Sequence, residues 1–386
     1  IKYIIILLYI NKSQIMEPII SNMFEDEGVL KFTLSGVHMS ISNAVRRTIL
    51  SDIPTIIFRT APYNENKAVI HKNTTRLNNE ILKQRLSCIP IHIQDLDTPL
   101  DDLEVVIQKK NNSESVEYVT TKDFKIRNTA LDKFLDQAEV KKIFPADFIS
   151  GTYIDFARLR PKISDEIPGE ELHITAKMDI GVAADDGMFN VVSTCSYGNT
   201  PDEVEMDTQW KQALSELAKE TEFTKEEQEL AKANWYLLEG KRYFKQNSFD
   251  FSIETIGVYE NQRIVEKAIE ILNGRSENIN KMIADGELVM EESNSTLKNA
   301  YDIKLEGYDY TIGKVIEFIL YEIYYIKEQK LTFIAFKKIH PHDSYGLLRI
   351  AFQEPTDSAT VTRMIQKSIE IATDTFTKIG QSFKSS

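Results

Sequence analysis

The chain has 386 residues, 46 Lys plus Arg against 59 Asp plus Glu, and a formal net charge of −13. Such an acidic balance excludes a broad electrostatic surface for nucleic acid, which needs many cations to neutralise phosphates. Two cysteines, Cys88 and Cys195, exclude a disulfide scaffold and any zinc site built from four cysteines, or from three cysteines and a histidine. Residues 1–10, IKYIIILLYI, fall well short of the run of about 20 apolar residues that spans a membrane. The first methionine is Met16, and residues 1–15 read as a doubtful extension left by upstream translation or cloning. Gly28–Leu34 then alternates apolar and polar residues as a half-buried strand. His38–Ile53 is predicted as a helix, capped by Ser40 or Ser42 and ended by Pro54. Its Ile41, Ala44, Val45 and Ile49 share one face, and Arg46 and Arg47 point elsewhere. A strand at Ile56–Thr60 and a helix at Thr75–Ser87 follow, completing a segment 16–92.

Residues 93–201 change character. Strand patterns broken by turn clusters recur at Leu103–Lys109, Ser115–Thr121, Thr152–Leu159, Glu171–Asp179 and Val191–Ser196, which marks a β-rich insertion. Residues 202–246 read as an acidic helical insert, with a capping box at Thr224–Glu227 and a modest apolar stripe of Trp210, Leu214 and Leu217. Residues 247–284 return to the first pattern, with a strand at Phe249–Val258 and a helix at Gln262–Leu272. Residues 285–300 read as a polar linker.

Residues 301–386 form a compact strand–helix–strand–strand–helix unit. Its strands are predicted at Asp302–Glu306, Leu331–Lys337 and Gly346–Phe352. The helix Thr311–Lys327 carries Ile312, Val315, Ile316, Ile319, Leu320 and Ile323 at helical spacing. The last helix, Asp357–Ile379, carries Met364, Ile365 and Ile369, with Gly380 beyond its end. The fold class is α+β, and the order of elements echoes segment 16–92 plus 247–284. Two similar units on one chain predict an internal pseudo-dimer. Its seam is expected along Ile41, Val45, Ile49, Ile312, Gly313, Val315, Ile316, Ile319, Ile323, Ile365 and Ile369, with Gly313 at a close helix–helix approach.

Asn43-Ala-Val-Arg-Arg-Thr-Ile-Leu-Ser-Asp-Ile-Pro54 resembles a signature of the α-type subunits of multisubunit RNA polymerases. Asn73-Thr74 followed by Asn79-Glu80-Ile-Leu-Lys-Gln-Arg85-Leu-Ser-Cys-Ile-Pro90 is similar to their second signature. Gly169–Ala176, Asp179–Ala183 and Phe251–Gly257 resemble the insertion sheet of the third-largest subunit of RNA polymerase II and its return to the dimerisation domain. Tyr308-Asp-Tyr-Thr-Ile-Gly313 and Ile339-His340-Pro341 resemble that subunit's small partner, with Tyr310 in place of a histidine. The resemblance covers most of residues 24–380 and is thin over 202–246.

The resemblance implies a fusion of the two α-like subunits, archaeal D and L in kind, as in large cytoplasmic DNA viruses. It implies an intramolecular pseudo-heterodimer whose first unit is interrupted by the insertion. The function implied is a non-catalytic platform nucleating assembly of a DNA-directed RNA polymerase. Its partners would be the two large catalytic subunits and small assembly subunits, with DNA and RNA met only through the complex, no membrane and no homodimer. Asn43, Arg46, Arg47, Glu80 and Arg85 are the expected large-subunit interface, since a guanidinium fork can pair carboxylates or carbonyls. The location implied is host cytoplasm and virion if viral, nucleus if cellular. The alternative is a free-standing interaction module with the same fold.

The cellular subunit often binds zinc or an iron–sulfur cluster through cysteines. Cys88 and Cys195 cannot supply that set, so no metal or cofactor is expected. A third reading, a metal hydrolase using His340-Pro-His-Asp343, offers too few ligands on one loop. Ser248 and Ser344 lie in no nucleophile elbow, and neither a Walker A loop nor the Mg²⁺-binding aspartate loop of the catalytic polymerase subunit occurs. No catalytic residue is therefore expected.

Overall fold

The computed structural model describes residues 16–164, 166–220 and 224–384. Residues 1–15 and the side chain of Leu217 lie outside the described residues. The chain begins with β1 (Ile19–Asp26), β2 (Val29–Ser35), α1 (Met39–Ser51), β3 (Thr55–Ile57), β4 (Ala68–Asn73) and α2 (Asn79–Ser87). Next come β5 (Leu103–Lys110), β6 (Glu117–Thr120), β7 (Phe124–Asn128), β8 (Lys133–Phe134), α3 (Gln137–Ile143), β9 (Asp155–Leu159), β10 (Glu171–Lys177) and β11 (Asp179–Gly181). Then follow β12 (Val192–Pro201), α4 (Glu203–Glu220), α5 (Lys225–Leu237), β13 (Phe244–Thr255) and α6 (Asn261–Ala284). Last are β14 (Val289–Glu292), β15 (Ala300–Glu306), α7 (Tyr310–Leu320), β16 (Leu331–Lys337), β17 (Tyr345–Phe352) and α8 (Ser358–Lys384). The mixture of helix and sheet is the expected α+β class.

The chain folds as two compact units. The chain up to Thr48, Thr194–Glu254 and Val265 onward make the first; Ile49–Ser193 and Thr255–Ile264 make the second. This departs from the expected division at residues 49–92. β4 pairs with β10, Ile70 opposite Ile174. Leu82 and Leu86 of α2 enter the same core as Val105, Ile107, Phe124 and Ile126. Sequence pattern shows that the helix has an apolar face, but not which sheet that face enters, and it gives no strand at Ala68–Asn73. The second unit is built on the sheet β4-β10-β5-β7-β8, with the ribbons β6–β9 and β3–β11. Helix α2 is shorter than expected, because Asn78 caps it, its side chain accepting the Ile81 N–H at 2.8 Å.

In the first unit the strands lie in the order β1-β2-β13-β12, and β2 runs antiparallel to both β1 and β13. Phe32 faces Phe251 across β2 and β13, and their rings stack 5.0 Å apart. Leu30, Leu34, Phe249 and Ile253 continue that buried face, alternating with Lys31, Thr33, Asp250 and Ser252 as the pleat requires. The 202–246 insert is a helical pair with its own small core: Trp210 lies 5.8 Å from Trp235, and Gly240 leaves room for Trp235 and Met206. The capping box at Thr224 and Glu227 is present.

The second sheet of this unit is β14-β15-β17-β16. β14 corrects the linker expected at 285–300: Val289–Glu292 pairs with β15, and the Ser293 N–H donates to the Ala300 carbonyl, so most of the polar run is a hairpin. Helix α7 packs against α8, β16 and β17. It is α-helical only to Leu320, and Tyr321–Lys327 continues as a π-helix. The Glu328 N–H reaches back five residues to the Ile323 carbonyl, and Ile323 is only half-buried there.

The nearest neighbour of Gly313 is a strand residue, not a helix. A Cβ there would lie 2.4 Å from the Phe336 ring, and one at Gly346 would lie 2.1 Å from it, so the ring of a β16 residue is gripped between two glycines. One turn along α7, Glu317 Oε2 accepts the Phe336 N–H at 2.8 Å, and Tyr310 Oη accepts the Lys338 N–H at 3.2 Å. The close helix–helix approach is made by Gly380 instead, which lies inside α8 rather than beyond it and whose Cβ would sit 3.0 Å from Ile269 of α6. Phe383, on the same helix, meets the Phe32 ring edge-on at 5.1 Å. Helix α6 runs twelve residues past its expected end at Leu272, and Ile279 extends its buried face.

Candidate functional site

The arginine pair sits on α1. The helix opens on His38, whose Nδ1 accepts the Ser40 N–H at 3.2 Å and contacts Ser40 Oγ at 3.0 Å. The expected serine cap is thus replaced by an imidazole, and the buried Ser42 hydroxyl has no hydrogen-bond partner among the described residues. Ile41, Ala44 and Val45 are buried, and so is Ile49, which belongs to the second unit. The His38 ring lies flat on Phe318 of α7, 3.7 Å between centroids and 2° between planes. Burial lowers the His38 pKa, which keeps the stacked ring neutral.

The two arginines part company. Arg46 donates through Nε and Nη2 to Asn43 Oδ1, both at 3.2 Å. It is half-buried and has no carboxylate partner among the described residues. Its charge reaches Tyr197 and Cys195. Burial pushes both of those groups up, Cys195 to about 12, and Arg46 opposes the shift; Asn43 also bonds to Tyr197. Arg47 turns the other way. Its Nη2 lies 2.6 Å from Asp309 Oδ2, and its Nε donates to Thr311 Oγ1 at 3.0 Å. Arg47, expected at a surface for other subunits, is engaged within its own chain.

Asp309 is the N-cap of α7, its Oδ1 accepting the Thr311 N–H at 2.9 Å. Burial would raise its pKa, but the Thr311 bonds and Arg47 outweigh burial and hold it below the usual carboxylate range. Sequence reasoning gave Asp309 no role, although Asp-x-Thr before an apolar run is an N-cap signal.

Glu80 and Arg85 lie in the second unit. The Glu80 side chain is 82% exposed, with Lys83 at 3.3 Å. Arg85 donates to the carbonyls of Phe156 at 2.8 Å and Asp155 at 2.6 Å, so its fork holds β9 rather than facing outward. In the seam set, Ile312, Val315, Ile316, Ile319, Ile365 and Ile369 are buried. In the His340–Asp343 loop, Asp343 accepts the His340 N–H and His340 Nδ1 accepts the His342 N–H. No three His, Cys, Asp or Glu among the described residues stand together as a metal site. None of the described helices is long and apolar enough to cross a membrane.

Residues 31–275 match the family described as the RNA polymerase Rpb3/Rpb11 dimerisation domain. The human DNA-directed RNA polymerases I and III subunit RPAC1 is 25% identical over 293 residues, 65% of this chain and 80% of the human one. The DNA-directed RNA polymerase subunit Rpo3 of Methanosphaera stadtmanae is 26% identical over 196 residues, 51% of this chain and 66% of that one. Rpo3 of Pyrococcus furiosus is 38% identical over 79 residues, 20% of this chain and 26% of its own.

Proposed function

This chain belongs to the RNA polymerase Rpb3/Rpb11 dimerisation-domain family, and on that footing we propose that it carries both dimerisation partners on one polypeptide. It is then the non-catalytic platform on which the two large subunits of a DNA-directed RNA polymerase assemble, in the manner of the fused subunits of large cytoplasmic DNA viruses. The fusion reading is supported by contacts between the chain's two ends: Arg47 with Asp309, His38 with Phe318, and Phe32 with Phe383.

The observation that carries the platform reading is Arg46. A half-buried guanidinium whose only hydrogen bonds among the described residues are to one amide oxygen keeps donors for a partner's carboxylate or carbonyl. In co-expression with the two large subunits of its source, the tagged chain should recover both. Arg46→Glu should lose them, because a disrupted interfacial charge pair costs about 2–5 kcal/mol, roughly 30-fold or more in affinity. Failure of the wild-type chain to recover either subunit would leave a free-standing module as the reading.

A further inference from the structure

We propose that the second unit carries a binding cleft for single-stranded nucleic acid, centred on Phe134 and ringed by Lys122, Lys125 and Lys141. The cleft, of about 570 Å³, lies where β7, β8 and α3 meet, a volume that holds a drug-sized ligand. Its floor is fixed: Phe124 and Phe144 are buried and meet edge-on at 5.3 Å. Above that floor the Phe134 ring is 57% exposed, on a strand of only two residues, and Tyr153 lines the same cleft.

The charge in the cleft is one-sided. None of the three lysines has a carboxylate partner among the described residues. The single acid in the lining, Asp123, is already answered by Lys109 Nζ at 3.1 Å and by the Thr120 N–H at 2.9 Å. Three uncompensated ammonium groups around an exposed aromatic ring are thus concentrated on a chain whose net charge is −13.

An exposed aromatic platform beside a cationic groove is the arrangement that holds single strands, bases stacking on the ring while the cations follow the phosphates. The exposed Phe134 favours this ligand over an acidic peptide, because a base offers a flat face to stack on the ring and an acidic side chain does not. The overall negative charge does not forbid it. At about 0.1 M salt the chain's distant charges are screened beyond about 10 Å, and contacts inside the cleft are not. The cleft residues belong to the second unit and Arg46 to the first, and the inference does not rest on the assembly reading.

The test is fluorescence anisotropy of labelled ten-nucleotide oligouridylate and oligothymidylate with the full-length chain, from 50 to 200 mM salt. Three phosphate contacts predict a log–log salt slope of about −2, hence about 15-fold weaker binding across that range. The triple variant Lys122→Gln, Lys125→Gln, Lys141→Gln should bind at least tenfold more weakly at 50 mM salt and lose the slope. Phe134→Ala should weaken binding about fivefold or more and keep the slope, since stacking is not ionic. All four side chains are exposed, and unchanged melting would show that the variants remain folded. RNA preferred over DNA, or the reverse, identifies which strand is taken and supports the site either way. Absence of binding by the wild-type chain, or a triple variant that binds like wild type, overturns the proposal. So does a polyglutamate peptide that displaces the oligonucleotide at equal charge.

Discussion

Arg47 Nη2 stands 2.6 Å from Asp309 Oδ2, joining residues 262 positions apart in the chain. The same carboxylate starts helix α7 by accepting the Thr311 N–H through its other oxygen. One side chain therefore fixes both where α7 begins and where it stands against α1. Together with the His38–Phe318 stack, this ties α7 to α1 at two places on the helix.

The two roles of Asp309 can be separated. Asp309→Asn keeps a good cap and removes the ion pair, which is part-exposed and worth no more than about 1 kcal/mol. Asp309→Ala removes both and should cost about 1–2 kcal/mol. Urea titration measures the difference. Because the folded carboxyl titrates below its ordinary value of about 3.9, its contribution is whole above that value and drains away as the pH falls through the folded pKa. Equal stability of the two variants at pH 7 would remove the cap from the account.

Gly313→Ala should destabilise by about 1–3 kcal/mol, the usual range for overpacking. The new methyl would lie 2.4 Å from the Phe336 ring, a distance no side chain tolerates without moving. Adding Phe336→Leu should recover part of the loss, because the smaller side chain vacates the contact. Thermal melts of the two variants decide the matter, and a Gly313→Ala chain that melts like wild type would sink it.

Arg46 and Arg47 should no longer behave alike. Arg46→Glu should leave stability within about 0.5 kcal/mol, because Arg46 has no ion pair among the described residues to lose. Arg47→Glu sets a carboxylate against Asp309 and should cost about 1 kcal/mol, a value already discounted for exposure. Chemical denaturation of the isolated chain separates them. A loss of stability at Arg46 as large as that at Arg47 would contradict the assignment.

The two thiols should differ sharply in reactivity. Cys88 is exposed and Cys195 is buried, and burial pushes the Cys195 thiol to about 12. At pH 8 its thiolate fraction is on the order of 10⁻⁴. A maleimide or aromatic disulfide reagent should titrate one thiol per native chain and two after denaturation. Two fast thiols in the native chain would mean that the sheet around Cys195 opens readily.

Much of this architecture was legible in the sequence, because alternation and helical spacing report burial directly. The buried faces of β2, α1, α7 and α8 follow their patterns, except that Ile323, past the end of α7, is only half-buried. What stayed hidden was the choice of partner. Gly313 and Gly380 are both glycines beside apolar helix faces, yet one meets a strand's phenylalanine and the other a helix's isoleucine. Arg46 and Arg47 are neighbours in a signature, and about 100° of helical rotation sends them to different surroundings. Glutamates and asparagines at 291–299 read as a tether because composition reports solvation, whereas pairing with β15 is a backbone property that composition does not register.

The grip on Phe336 also limits growth. β16 is an edge strand, and an edge with open N–H groups is a template on which a stray strand can add. Here Glu317 and Tyr310 occupy the N–H groups of Phe336 and Lys338, and Gly313 lets their helix come close enough to do so. A carboxylate and a phenol thus stand where another chain's carbonyls would bind. The C-terminal sheet is sealed along this part of its margin by its own helix, so crowding during synthesis meets a blocked edge rather than an invitation to aggregate.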